Sequence, residues 1–195
     1  MLTHHGFEIV IARYATSQQA TRPQQFAYTA IKMDSKVLGR HLERQDEHRR
    51  SSANHPRRIV MPVLVDSNVI LDVVSQDACF LEWSQTVLEH HAASGLVVNA
   101  MIYAELCCNA RYSAEVDAVL DALEIKILEI PRSTLFLAAQ AHVAYRRRGG
   151  SRSSGLPDFF IGAHAEVAGV PLLTRDLGRY RTYFPTVTLI HPDTP

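Results

Sequence analysis

Four carboxylates in this sequence sit where ordinary surface acids do not. In MPVLVDSNVILDV (61–73) the apolar run Val63-Leu64-Val65 ends on Asp66. A charge at the end of a buried strand is costly unless something pairs with it. Asp176 follows two residues after the apolar run ending at Thr174, and Asp158 follows Pro157 in LPDFFIGAHA. Glu105 lies inside the apolar helical stretch NAMIYAELCC, between Ala104 and Leu106. Each acid alone has another reading. Asp158 fits helix-start electrostatics, Asp176 fits the cap of a short helix beginning at Leu177, Glu105 fits a solvated helix face, and Asp-Ser-Asn is turn chemistry. As a set they would repel one another unless a cation neutralised them. Ligands that are all oxygen suit a hard divalent ion, Mg²⁺ or Mn²⁺, rather than zinc.

To meet, these acids need a scaffold that brings four separate elements to one edge. Strand-like runs at 63–65, 96–98, 125–130, 170–173 and 187–190 alternate with helical stretches near 68–74, 80–94, 100–111, 114–123, 133–148 and 158–168. Gly95 and Gly169 stand where helices should stop, and Pro131 and Pro171 mark boundaries. The alternation predicts an α/β domain with a mainly parallel sheet layered by helices. In such sheets sites form beyond the carboxyl ends of the strands, where Asp66 and Asp176 fall.

The 195-residue chain is 47% hydrophobic and 21% charged, ordinary for a globular protein, and its formal net charge is zero. That balance hides an asymmetry: residues 1–60 carry ten Lys/Arg against five Asp/Glu, and residues 61–195 carry ten against fifteen. RQDEHRRSSANHPRR (44–58) has almost no large apolar side chain, the composition of a linker or disordered arm. The expected division is therefore an N-terminal extension over 1–60, disordered or marginal, and a complete catalytic domain over 61–195. Cys79, Cys107 and Cys108 form no paired framework, which points to a reduced, cytoplasmic setting. No apolar run reaches transmembrane length and no secretion signal is visible.

LVDSNVILDV, YAELCCN, LPDFFIGAHAEVAGVPLLTRD and RYRTYFPTVTLI together resemble a PIN-domain protein. More closely they are similar to a VapC-type ribonuclease toxin of a type II (VapBC) toxin–antitoxin system. The resemblance covers about residues 61–192 and leaves 1–60 unmatched. It implies an α/β/α sandwich, with the family's acidic residues falling on Asp66, Glu105, Asp158 and Asp176. It further implies Mg²⁺- or Mn²⁺-dependent cleavage of RNA (tRNA, rRNA or mRNA), a homodimer, and a small VapB-like antitoxin. Asp66 and Asp158 would be the principal metal ligands, with Glu105 and Asp176 completing the pocket.

Basic residues must hold RNA beside such a site, because phosphate contacts dominate nucleic-acid affinity. Arg146, Arg147, Arg148 and Arg152, in YRRRGGSRSSG, are the first candidates; the alternative is that they complement the end of a helix. Arg175, Arg179 and Arg181 with Tyr180 and Tyr183 form a second patch, with structural packing as the competing reading. Ser67, Asn68 and Thr174 would orient water or phosphate, or cap backbone. His90, His91, His142, His164 and His191 read as surface or core histidines, without partners at metal-ligand spacing. A haloacid-dehalogenase-like phosphatase needs a second acid where this chain has Asn68, and a dinucleotide site needs a glycine-rich turn that is absent. The remaining rival is a PIN-like scaffold that binds RNA or protein without cutting.

Overall fold

The computed structural model describes residues 61–150 and 156–192. The expectations for residues 1–60 and for Arg152 lie outside the described residues. Five strands, β1 (Val63–Val65), β2 (Leu96–Val98), β3 (Ile125–Ile127), β4 (Leu172–Leu173) and β5 (Leu189–Ile190), form one sheet in the order β3-β2-β1-β4-β5. Every pairing is parallel, with Leu64 opposite Val97 on one side and Leu172 on the other. Val63, Leu64 and Val65 are all buried, as expected of a central parallel strand covered on both faces.

Seven helices layer this sheet among the described residues: α1 (Ser67–Ser75), α2 (Leu81–His91), α3 (Ala100–Cys107), α4 (Ser113–Ala122), α5 (Arg132–Arg147), α6 (Pro157–Ala168) and α7 (Gly178–Tyr183). The result is the expected α/β/α sandwich. Helix α1 packs on α2 and α3, and α6 packs on α3, α5 and α7. Helix α6 comes close to the end of α7 because a Cβ at Gly162 would overlap the Phe184 ring. Phe159, Ile161, Tyr180 and Phe184 are all fully buried, and the Phe159 and Phe184 rings meet edge to face with centroids 6.5 Å apart.

Several boundaries differ from the sequence reading for local reasons. The strand expected over 125–130 ends at Ile127; it is an edge strand, and only Ile125 of its three residues is buried. The helix expected over 80–94 stops at His91 and tightens into a 3₁₀ turn over Ala92–Ser94, closed by Gly95 at φ 86°. The run at 170–173 is in register only at Leu172 and Leu173; Pro171 has no amide to donate and joins through its carbonyl alone, which accepts from the Leu64 amide at 2.9 Å. Helix α7, expected only as an alternative reading of Asp176, is present and six residues long.

One polar pair inside the core fixes the helices that carry the acids. Asn99 follows β2 and is fully buried, and its Oδ1 accepts from the amides of Met101 and Ile102, each at 3.0 Å. This caps α3, the helix of Glu105. The Asn99 Nδ2 donates to Nδ1 of His164 on α6, 3.2 Å away. His164 is also hydrogen-bonded to the Glu129 backbone, and burial pushes its pKa down, so the ring stays neutral. A single asparagine thus ties α3 to α6. Replacing it with alanine removes a cap, worth about 0.5–2 kcal/mol, and orphans a buried ring nitrogen, worth about 1–3 kcal/mol. Asn99→Ala is therefore expected to lose about 2–4 kcal/mol in urea denaturation; a loss under 1 kcal/mol would mean that the pair does not hold the helices.

Candidate active site

Asp66 occupies the junction between β1 and α1. Its amide continues the ladder, donating to the Leu173 carbonyl at 2.9 Å, and its side chain caps α1 by accepting from the Ser67 amide at 2.8 Å on Oδ1. Its other oxygen, Oδ2, accepts from the Thr174 hydroxyl at 2.6 Å, the Asn68 amide nitrogen at 2.9 Å and the Tyr180 hydroxyl at 3.3 Å. Donors from α1, the end of β4 and α7 thus converge on one carboxylate that is only 4% exposed. Even so, burial pushes its carboxyl up, and the Asp176 charge adds to that.

Glu105 joins through Ser67. The Ser67 hydroxyl donates to Glu105 Oε2 at 2.6 Å and lies 3.5 Å from Asp66 Oδ1. Glu105 is half-buried, and burial raises its pKa, with the Asp66 charge raising it further. Asp176 stands on the exposed side; its amide donates to Thr174 Oγ1 at 3.0 Å, and its Oδ1 accepts from the Gly178 amide at 3.0 Å. Tyr180 lies among all three: after burial, the charges of Asp66, Glu105 and Asp176 raise its hydroxyl well above the usual range. Its phenol is a buried partner of Asp66, not a surface available to a base.

Asp158 is placed differently. It lies in the first turn of α6, as its sequence context implied, and its carboxylate is ion-paired with Arg179 of α7; the two side chains are 25% and 37% exposed. As the side chains stand, no three His, Cys, Asp or Glu among the described residues close around a common point. The donor chemistry nonetheless fits a hard divalent cation. Asp66, Glu105 and Asp176 offer oxygen alone, and none is ion-paired among the described residues, where Arg175 pairs with Asp72 and Arg179 with Asp158. For Asp158 to join them, Arg179 must release it.

The basic candidates separate by location. Arg146 and Arg147 end α5 in the open, and Arg148 places its guanidinium 5.7 Å from the Tyr183 ring centre. Arg175 instead faces inward, with Nη2 3.1 Å from Asp72 Oδ1 and its guanidinium 4.3 Å from the Phe80 ring centre. Arg181 bonds His191 at 3.1 Å, and His142 packs on Phe159. Sequence reasoning missed Asn99 and Asp72. Asp72 carried the signal that singled out Asp66: a charge inside the apolar run 69–74.

The PIN domain family model matches residues 63–185, well over half of the chain. The chain belongs to the PIN-domain family. Among solved structures it is similar to VapBC2 from Rickettsia felis bound to a DNA fragment from their promoter, with 16% identity and a TM-score of 0.54 over 68% of this chain and 100% of that one. FitAcB from Neisseria gonorrhoeae is similar at 19% identity and a TM-score of 0.52, over 68% and 99% of the two chains. VapBC-1 from nontypeable Haemophilus influenzae matches at 14% identity and a TM-score of 0.51, over 67% and 98%. These likenesses establish the fold. No curated protein matches the sequence at a significant level.

The raised carboxyls of this PIN domain give a stability prediction. Ionised Glu105 is disfavoured by burial and by Asp66, so its penalty is present above its raised folded-state pKa. The penalty fades as pH falls through that value towards the ordinary range, where the acid is protonated in both states. Glu105→Gln keeps an acceptor for Ser67 and removes the charge. In metal-free buffer at pH 8 it is expected to gain about 0.5–2 kcal/mol, with the gain shrinking on acidification. A loss at pH 8 would show that the acids are not in conflict.

Proposed function

We propose that this PIN-domain chain is a divalent-metal-dependent ribonuclease of the VapC toxin kind, hydrolysing RNA phosphodiester bonds. The observation that supports this reading is that Asp66, Glu105 and Asp176 have no ion pair among the described residues, while burial raises the pKa of the first two. Perturbed acids in one place are a mark of functional sites. Asp66, Glu105, Asp158 and Asp176 would hold Mg²⁺ or Mn²⁺, which supplies an activated water and neutralises charge on the phosphate when bound.

The chain's own groups divide the remaining work. Thr174, Asn68 and Tyr180 saturate Oδ2 of Asp66 and fix the carboxylate plane. Ser67 orients Glu105 by donating to it. Arg179 shields the Asp158 charge in the resting state and is a cation that could accompany an incoming phosphate. Arg146, Arg147, Arg148 and Arg152 hold the RNA backbone. We assign the catalytic residues to the stretch 61–195, acting as a homodimer and neutralised by a small VapB-like antitoxin. A cytoplasmic location suits a nuclease acting on cellular RNA. Among the described residues no helix is long and apolar enough to cross a membrane.

With purified protein and total RNA, cleavage is expected to require Mg²⁺ or Mn²⁺ and to stop with EDTA. Asp158→Asn is expected to lower the rate on the order of 10³-fold. Equal cleavage by Asp158→Asn would remove that residue from the site, and RNA binding without cleavage would favour the scaffold reading.

Replacing Arg146, Arg147, Arg148 and Arg152 together with alanine tests the RNA surface. If they neutralise phosphates, the slope of log affinity against log salt should flatten by roughly 0.7 for each phosphate left without its arginine. An unchanged slope would return the cluster to capping α5.

A further inference from the structure

We infer that Arg175 is a positioning residue: pinned by the buried carboxylate of Asp72, it fixes the turn Thr174–Asp176 against Asp66. Its catalytic consequence rests on the nuclease reading; its structural consequence does not. Asp72 lies on α1 and is 2% exposed. One oxygen meets Arg175 Nη2 at 3.1 Å, and the other accepts from the Ser84 hydroxyl of α2 at 2.7 Å. A carboxylate so deeply buried needs compensation, here from the Arg175 cation and the Ser84 hydroxyl, and breaking such an ion pair leaves an uncompensated charge. The Phe80 ring, 4.3 Å from the guanidinium, closes the other side. Phe80 is itself held, because Asp77 Oδ1 accepts from the amides of Cys79 at 2.9 Å and Phe80 at 3.0 Å.

Arg175 is attached at both ends to one face of α1. Its amide donates to Asn68 Oδ1 at 3.2 Å, and its guanidinium reaches Asp72. Asn68 and Asp72 are four residues apart, so they are neighbours on the helix surface. Between these two anchors the chain has little freedom, and the residues on either side of Arg175 are those that build the site. Thr174 donates to Asp66 Oδ2 at 2.6 Å, and the Asp176 amide donates to Thr174 Oγ1 at 3.0 Å. Arg175 as an RNA contact is the competing assignment. Asp72 separates the two, because a buried anion has no direct use for phosphate.

The test uses the full chain with Arg175→Met, Asp72→Asn, their combination, and Arg175→Lys. Amide hydrogen exchange by NMR is expected to rise about tenfold or more at Asp176 in both single variants, with the β1 amide of Leu64 unchanged. In cleavage of a short single-stranded RNA, kcat is expected to fall about tenfold or more with KM within about twofold. The combination should be no worse than either single variant, and Arg175→Lys should recover most of kcat. Unchanged exchange at Asp176 in Asp72→Asn overturns the proposal, whatever Arg175→Met does to folding. So does a raised KM with kcat intact in Arg175→Met, the signature of an RNA contact. So does a lower melting temperature with unaltered exchange and kinetics. Absence of cleavage by the wild-type chain would overturn the nuclease reading alone, and the exchange measurement would still decide the role of Arg175.

Discussion

The burial of one carboxylate, Asp66, is the constraint around which this domain is organised. A nearly buried charge must be surrounded by donors, and the donors come from α1, β4 and α7. Hydrogen bonds to a charged acceptor contribute about 1.5–3 kcal/mol each, so Asp66 ties three elements that are far apart in sequence. Burial still outweighs those bonds and raises its pKa. The arrangement holds the carboxylate in place without making it comfortable, which is the condition a ligand of a cation should meet.

The three adjacent strands β2, β1 and β4 share a simple rule at their carboxyl ends. Each short apolar run is followed by a buried polar residue: Asn99, Asp66 and Thr174. The parallel sheet therefore presents a row of polar groups along one edge, and each has a different task. Asn99 caps α3 and bonds His164, which sets the helices of Glu105 and Asp158 relative to each other. Thr174 spends its single hydroxyl hydrogen on Asp66 and uses its oxygen to accept from Asn68 and the Asp176 amide. The fold delivers the site because the strands are short and end together.

Much of this was legible in the sequence, and the limits have physical causes. The apolar run ending on Asp66 is visible because a charge beside buried residues breaks the pattern, and Pro157 before Asp158 announces a helix start. The edge strand was read too long because the apolar residues from Ile125 to Ile130 do not reveal that β3 has a partner on one side only. Pairings across the chain were not readable at all. Asn99 meets His164 across 65 positions, and neither residue type names its partner. The Arg175 and Arg179 side chains look alike in sequence, yet one turns inward and the other lies across Asp158.

The contrast between Arg175 and Arg179 also sorts the acids around them. Of the three arginines in the segment that carries Asp176, two are matched to an acid, Arg175 to Asp72 and Arg179 to Asp158, and Arg181 bonds His191. Asp66, Glu105 and Asp176 remain, linked to one another through the Ser67 and Thr174 hydroxyls and without an ion pair among the described residues. The two pairs are also unequal. Asp72 is deeply buried, and separating it from Arg175 would strand a charge in the core. Asp158 and Arg179 are both partly open to water, where an ion pair contributes little and parts easily. One arginine is therefore a fixture and the other is exchangeable. On the proposed reading, in which the four carboxylates act as a set, the exchangeable one covers the acid that would have to leave its partner first.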